Sequence, residues 1–307
     1  MRTLFIPACM SAAGDLVPIC AFAFYRDVQF SVTARMVTWF AMSDLIGQFF
    51  VVTAVIAPDT FGHDGLLCSI QAAGNWYSVW SSWGWTVAFA HTVRLCYNSA
   101  VAAHHLNRRP GRFHVVEITQ ERRWHAVCWL LPLVGVGTAM ATDLFGPRAN
   151  MPICTFRREC FALIANAPLW LALAYNMFAF ISVHVLIQQV RDVSNGLLAP
   201  DAQLAFERRV RVWPRFTMYI LTFVVSQLPE VVMLVVELVA APTWGPTMNA
   251  LVTAANSLSQ MHGFLNGVIF CFKHRVLAHQ QWASRRPCYG CGSFQLLRAL
   301  HRLRTRR

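Results

Sequence analysis

Four acidic side chains lie inside long apolar segments of this sequence: Asp15, Asp44, Glu230 and Glu237. A carboxylate at the centre of a bilayer costs about 2.5–3.5 kcal/mol on insertion scales, so such residues usually serve a function. Asp44 lies near the middle of its segment, where it could hold a cation or switch a hydrogen bond through a proton. Glu230 directly follows Pro229, which removes a backbone donor and is expected to kink the helix. Glu237 lies near the end of its segment, where water could solvate it instead.

Polar side chains recur at helical spacing along three of these segments. Residues three or four positions apart share one helix face, and lipid offers them no hydrogen-bond partner. Either the three stripes hydrogen-bond between helices, or they line a polar cavity, open to the outside, that binds a ligand; their convergence favours the cavity. The stripes consist of Gln71, Asn75, Ser78, Ser82 and Thr86; of Thr222, Ser226, Glu230 and Glu237; and of Asn249, Thr253, Asn256, Gln260, Gly263 and Gly267.

These residues belong to seven apolar segments, each with the roughly 20 residues that a helix needs to cross a membrane. The sequence therefore predicts an all-α membrane protein, a seven-transmembrane helix bundle over residues 1–272. Residues 273–307 are predicted to form a basic cytoplasmic tail whose first part could be an interfacial helix. The apolar segments run over residues 3–24, 32–57, 66–97, 125–145, 161–190, 215–241 and 246–272.

The positive charges predict an orientation for the bundle. Of the 26 Lys and Arg residues, 22 fall on one face of a seven-helix arrangement, and Arg2, Arg148, Arg157 and Arg158 fall on the other. Basic residues are enriched on the cytoplasmic side, so we expect a multi-pass plasma-membrane protein with its N-terminus outside and its C-terminus in the cytoplasm. Attraction to the anionic cytoplasmic leaflet then explains the net charge of +12, and nucleic acid is not expected as a partner.

The cysteines divide between the two faces. Cys68 begins the third segment on the outer side, and Cys154 and Cys160 lie in the second outer loop. A disulfide from Cys68 to either of them is allowed in that oxidising compartment. Cys288 and Cys291 form a Cys-x-x-Cys motif in the tail. These cysteines could be unmodified thiols or palmitoylated, and zinc binding is the least favoured alternative. Zinc would need two further ligands, so neither a metal site nor a cofactor is predicted.

Motifs in three segments agree in order and spacing with those of one receptor family. The seventh segment contains Leu258-Ser259-Gln260-Met261-His262-Gly263-Phe264-Leu265-Asn266, the third contains Cys68-Ser69-Ile70-Gln71-Ala72 and Trp85-Thr86, and the second contains Ser43-Asp44-Leu45. These stretches resemble Leu-Ser-x-x-Gln-Gly-Phe-Leu-Asn, Cys-x-x-Gln-Ala, Trp-Thr and Ala-Asp-Leu of the cyclic-AMP-receptor-like (class E) G-protein-coupled receptors. The run Phe270-Cys271-Phe272 is similar, more weakly, to the secretin and adhesion receptors.

The resemblance implies a receptor rather than an enzyme. A small extracellular ligand would bind in the polar outer half, and a heterotrimeric G protein would bind the cytoplasmic ends of the third, fifth and sixth helices. The resemblance also implies Cys154 as the partner of Cys68. The candidate ligand-binding residues are Gln71, Asn75, Ser78, Glu230, Glu237, Asn249 and Asn256; the candidate switch residues are Asp44, Ser82, Pro229, Gln260, His262 and Asn266; and the candidate G-protein contacts are Arg94, Arg208, Arg209 and Arg211.

Two motifs of this sequence depart from those of rhodopsin-like receptors. The third segment ends in His91-Thr92-Val93-Arg94 without the Asp/Glu-Arg-Tyr of rhodopsin-like receptors, and the sixth reads Ser226-Gln227-Leu228-Pro229 rather than Cys-Trp-x-Pro. The activation details of rhodopsin-like receptors therefore do not transfer. The ligand, the Gα subtype and the oligomeric state stay open.

Other classes of membrane protein fit the sequence less well than a receptor does. A retinal-binding rhodopsin is disfavoured because the chain's one lysine, Lys273, lies at the inner edge of the seventh segment. An intramembrane zinc hydrolase would need His and carboxylate ligands at one depth, whereas the histidines are scattered. The main alternative is an ion-coupled transporter that uses Asp44 and Glu230, although the internal repeats typical of transporters are not apparent.

Overall fold

The computed structural model describes residues 2–25, 29, 32–57, 65–105, 120–148, 151–157, 159–197, 213–240 and 246–272. The chain forms two compact units, Met1–Ile269 and Phe270–Arg307, and the second is described for residues 270–272. The helix packing, the hairpin and the cavity presented here all belong to the first unit. The predicted tail, 273–307, lies outside the described residues together with Cys288 and Cys291.

Helices account for most of the described residues. A short π-helical stretch over Ala126–Leu130 interrupts the fourth helix. The last helix is followed by a turn at Met261 and by further helix over residues 262–272. The helices are α1 Arg2–Phe24, α2 Val32–Ile56, α3 Leu66–His105, α4 Gln120–Ala141, α5 Glu159–Leu197, α6 Trp213–Ala240 and α7 Pro246–Gln260.

Several helices have the length and apolarity of membrane spans. The exterior carries large apolar side chains, including Leu131 at 67% and Leu171 at 72% exposure, and such a surface suits lipid rather than water. The predicted helical, membrane-embedded class is therefore confirmed at this level, while the number of seven spans and their orientation stay predictions. Within the described residues, the stretches long and apolar enough to cross a membrane are Leu4–Phe24, Ala34–Ile56, Gln120–Ala141 and Ile164–Gln189, and a shorter apolar stretch is Thr217–Met233.

α3 is not among these spans, although it is 40 residues long. Its polar stripe lowers its mean hydropathy, and several of the polar side chains, including Gln71, Ser78 and Ser81, are almost fully buried. α3 contacts α2, α4, α5, α6 and both strands. A helix that is surrounded by protein can carry polar groups on its buried faces. Mean hydropathy alone therefore does not reveal that α3 is the central helix of the bundle.

A two-stranded hairpin follows α4, which departs from the all-helical prediction. Strands β1 Phe145–Arg148 and β2 Met151–Phe156 pair antiparallel, with Phe145 opposite Phe156 and Gly146 opposite Thr155. Both phenylalanines are buried, and their ring centroids lie 4.9 Å apart. The hairpin thus has a small apolar core of its own.

The hairpin is fastened to the first turns of α3. Cys68 and Cys154 form a disulfide, which is the pairing that the receptor resemblance implied. The Cys154 backbone N–H donates to Gln71 Oε1 at 2.9 Å, and Trp76 Nε1 donates to Thr155 Oγ1 at 3.2 Å. A covalent bond and two hydrogen bonds therefore position β2 over α3.

An ion pair joins the beginnings of α2 and α4. Arg35 donates to both carboxylate oxygens of Glu121, from Nη2 at 2.6 Å and from Nε at 2.9 Å. The side chains are only 18% and 11% exposed. Charge-assisted pairs of this two-pronged geometry are the strong ones, and removal of one partner from a buried pair leaves an uncompensated charge.

α1 meets the helical residues 262–269 backbone to backbone. A methyl group added at Gly14 would overlap the Phe264 Cα and the Gly263 carbonyl, and one added at Gly267 would overlap the Gly14 carbonyl. Small residues allow this close approach between helices in a membrane. The contact joins the first helix of the bundle to the last.

We predict that Gly14→Ala destabilises the fold by about 1–3 kcal/mol or more, because the added methyl group forces two backbones apart. Gly137→Ala on α4 is the matched control, since a methyl group there meets no atom within 4 Å. In a helix the same change is otherwise favourable by about 0.5–1 kcal/mol. Thermal unfolding in lipid discs, followed by tryptophan fluorescence, measures both variants. Equal midpoints for the two would contradict the packing role of Gly14.

Candidate functional site

A polar cavity of about 190 Å³ opens among the helices. Five helices, α2, α3, α5, α6 and α7, supply most of its wall; Leu4 of α1, Thr155 of β2 and His262 complete it. Its other polar lining residues are Asp44, Gln48, Asn75, Ser78, Ser82, Asn166, Gln227, Glu230, Asn256, Ser259 and Gln260.

The cavity brings together eight of the thirteen residues that were predicted to bind a ligand or to act as a switch. Asn75, Ser78, Glu230 and Asn256 were predicted to bind a ligand, and all four line it. The predicted switch residues Asp44, Ser82, Gln260 and His262 line the same cavity. Predicted ligand-binding residues and predicted switch residues therefore share one cavity wall.

Other predicted residues lie elsewhere. Gln71 is fully buried and bonded to Cys154, so it anchors the hairpin and does not line the cavity. Asn266 lines a second, smaller cavity of about 30 Å³ with Thr86 and Tyr219. Pro229 lies within α6 next to Glu230. The side chains of Glu237 and Asn249, and the whole of Arg208, Arg209 and Arg211, lie outside the described part of the chain.

Arg94, a predicted G-protein contact, packs within the bundle. Its guanidinium carbon lies 4.6 Å from the centroid of the Phe178 ring on α5. This is the distance of a cation–π contact. Nearby, His91 Nδ1 and the Tyr175 hydroxyl are 2.5 Å apart, so two contacts join this part of α3 to α5.

A chain of hydrogen bonds connects α6 to α7 at the cavity wall. Gln227 Nε2 donates to Ser259 Oγ at 3.2 Å, and Ser259 is also hydrogen-bonded to the Glu230 carboxylate. An ionised carboxylate can only accept, so the hydroxyl proton of Ser259 is donated to Glu230 in that state. Glu230 thus has a neutral partner on the neighbouring helix.

A second junction connects α1, α2 and the residues after α7. The Gly263 N–H donates to Ser11 Oγ at 3.0 Å, and Ser11 Oγ donates to Asp44 Oδ2 at 3.4 Å. Asp15, which is 1% exposed, lies close to Asp44, and neither of its carboxylate oxygens has a hydrogen-bond partner among the described residues. Asp44 is therefore the point at which cavity and helix junction meet.

The α2–α3 contact carries a further polar link. Ser78 Oγ donates to the backbone carbonyl of Ser43 at 2.5 Å. A methyl group at Gly47 would overlap the Ser78 hydroxyl, so the glycine makes room for it. Ser78 consequently serves helix packing as well as the cavity wall.

Sequence reasoning missed several lining residues. Gln48 lies four positions from Asp44, and this helical spacing was a usable signal; Ser11, which lies four positions from Asp15, belongs to the helix junction and not to the lining. Gln227 and Ser259 lie within motifs of the sixth and seventh segments, which do not by themselves indicate a role in the cavity. Asn166 is an isolated polar residue in apolar α5, which gives no periodic signal.

Comparison with known protein families and with characterised proteins gave no match for this chain. The site is therefore interpreted from its own residues. Among the described residues, no group of three or more His, Cys, Asp or Glu side chains is placed to hold a metal ion.

We predict that loss of the disulfide loosens the hairpin that covers α3. Cys68→Ser, Cys154→Ser and the double variant should each lose about 2–5 kcal/mol of stability, because each breaks the same bond. Cys9→Ser, at an exposed free cysteine, is the control and should leave stability unchanged. Thermal unfolding and protease cleavage within 145–156 measure the effect. Additive losses in the double variant would contradict a single shared bond.

Proposed function

We propose that this protein is a G-protein-coupled receptor of the plasma membrane. It spans the bilayer seven times, with the N-terminus outside, and binds a small extracellular ligand in the polar cavity. Ligand binding activates a heterotrimeric G protein through the cytoplasmic ends of α3, α5 and α6. The observation that carries the proposal is the cavity itself, because five helices contribute polar side chains to one shared space within a bundle whose exterior is apolar.

The position of the cavity supports ligand entry from the outer side. Thr155 of the disulfide-fastened hairpin lines it, and disulfides persist on the oxidising side of a membrane. Most of the Lys and Arg residues fall on the opposite face of the proposed bundle, and this enrichment favours the cytoplasm for that face. The cavity therefore opens, in this proposal, toward the side from which an external signal arrives.

α6 has the features of a moving element. Pro229 has no backbone N–H, so the helix lacks one internal hydrogen bond there. The adjacent Glu230 and, one turn earlier, Gln227 both line the cavity. A ligand that pulls on these two side chains acts directly beside the weakened turn. The remainder of α6, toward Trp213, would swing and open a crevice for the G protein.

The sequence resemblance to cyclic-AMP-receptor-like receptors supports the same class. Ser259, Gln260 and His262 belong to the family-like motif and all line the cavity, as does Asp44 of the second motif. Lipid bilayer and G protein are the partners that this class requires. Nucleic acid has no part in it.

We expect the purified protein in lipid discs to accelerate nucleotide exchange on at least one Gα subtype. Pro229→Ala should reduce that acceleration about fivefold or more, because the weakened turn couples the cavity to the cytoplasmic end. Pro18→Ala is the matched control, since Pro18 is also inside a helix, α1, but does not line the cavity. Exchange is followed with a fluorescent GTP analogue across a panel of heterotrimers. Equal rates for Pro229→Ala and wild type would rule out the hinge.

An ion-coupled transporter is the second candidate, and one observation favours it. Asp44 and Glu230, the two carboxylates that could bind a coupling ion, line the same cavity. In proteoliposomes a transporter would move solute in response to a sodium or proton gradient, and Asp44→Asn and Glu230→Gln would each abolish that flux. Gradient-driven flux without any G-protein activation would replace the receptor proposal.

A further inference from the structure

The described lining of the cavity is electrostatically one-sided. Its charged residues are Asp44 and Glu230, and no Lys or Arg is among the described lining residues. Amide and hydroxyl groups and the imidazole of His262 make up the other polar surface. An anionic ligand would meet carboxylates without a compensating cation, and anions such as phosphates require Arg, Lys or helix N-termini. The lining therefore favours a positively charged guest.

The two carboxylates differ in their surroundings. Asp44 accepts a hydrogen bond from Ser11 and lies close to a second carboxyl group, that of Asp15, in the α1–α2 junction. Glu230 is hydrogen-bonded to the neutral Ser259. Carboxylates enclosed by protein are usually paired with a cation. A cation from the ligand would supply the partner that the described contacts of Glu230 do not include.

Aromatic side chains add to the cation preference. Trp76 and Trp83 both line the cavity. The Trp76 indole N–H donates to Thr155 and its ring packs against Phe156 with the centroids 5.1 Å apart, so what Trp76 offers the cavity is ring surface and not a hydrogen-bond donor. Indole rings attract ammonium groups more strongly than other aromatic side chains do. Carboxylate and indole together form the environment in which an organic cation is favoured over a hydrated metal ion.

The volume limits the size of the guest. A cavity of about 150 Å³ holds one benzene molecule, and this cavity measures about 190 Å³. An aromatic ring with a short chain and an amino group matches a volume of this size. The apolar lining side chains Val51, Val79 and Leu169 suit the ring.

We propose that the ligand of this cavity is a small organic ammonium ion, whose charge pairs with Glu230 and whose apolar part packs against Trp76 and Trp83. The proposal rests on the proposed ligand-binding function and specifies the chemistry of its ligand. The proposed ligand differs from a cyclic nucleotide, which the resemblance to cyclic-AMP-receptor-like receptors would suggest, because a cyclic nucleotide carries a negative phosphate.

A charge series of similar shape tests the proposal. Phenethylammonium, phenethyl alcohol and phenylacetate carry positive, zero and negative charge on one aromatic frame. Binding of each to the full-length protein in lipid discs is measured by titration calorimetry at neutral pH, without G protein. We expect phenethylammonium to bind at least about tenfold more tightly than the alcohol, and phenylacetate not to bind, because only the cation compensates the carboxylate.

Variants assign the charge preference to Glu230. Glu230→Gln should weaken phenethylammonium binding about tenfold or more and leave the affinity for the alcohol within about twofold. The matched control is Asp143→Asn, which removes an exposed carboxylate that does not line the cavity and should not alter either affinity. Unchanged binding in Glu230→Gln, with its thermal midpoint near that of wild type, would overturn the role of Glu230.

The outcomes also separate this inference from the receptor proposal. Phenylacetate binding as tightly as the cation, or no binding of the cation up to about 10 mM, would overturn the cationic assignment even if G-protein exchange is observed. Cation binding that depends on Glu230, in a protein that activates no G protein, would support the ligand class and contradict the receptor.

Discussion

Hydrogen bonding away from water is the constraint on which this structure depends. Polar side chains on helices in an apolar surrounding must find partners inside the protein, since lipid supplies none. α3 carries the largest share of such residues and lies in contact with α2, α4, α5, α6 and the hairpin. Its neighbours contribute the matching groups: Ser43 offers a carbonyl to Ser78, and Ala165 offers one to Trp80 Nε1 at 2.9 Å. The apolar exterior and the polar interior both follow from the need of polar side chains for hydrogen-bond partners within the protein.

The cavity is where polar side chains from several helices face a common space. At Gly14 and Gly267 the helices approach closely, backbone to backbone. At Glu230, Asn75 and Asn256 they stand apart, and polar groups face the cavity instead. Other buried polar atoms without a hydrogen-bond partner lie away from it, including both carboxylate oxygens of Asp15. A few convergent polar groups around a cavity are the usual setting of a small-molecule site.

Sequence periodicity predicted much of this arrangement, and its errors have physical causes. The spacing of Asn75, Ser78 and Ser82 correctly placed them on one face, because helix geometry fixes which residues are neighbours. The same spacing put Gln71 in the ligand set, but a bond to the Cys154 backbone uses that side chain. Periodicity cannot reveal which loop comes back to cover a helix end.

The hairpin and the isolated lining residues were harder to predict. β1 and β2 are only four and six residues long, too short for an alternating pattern, and they depend on a disulfide and on Trp76. Asn166 has no polar neighbour at helical spacing, so only the packing of α5 against α3 brings it to the cavity. The π-helical stretch over Ala126–Leu130 shifts the register of α4, which a regular helical pattern does not anticipate.

The polarity of α3 has a consequence for how the protein is made. A segment enters the bilayer during synthesis according to its own apolarity, and α3 falls short of the apolarity that α2 and α4 possess. In the proposed seven-span topology, α3 would therefore need its contacts with α2, which is synthesised before it, and with α4, which is synthesised after it, to stay in the membrane until the bundle closes. The central helix of the finished protein would then be the one that relies on its neighbours during synthesis.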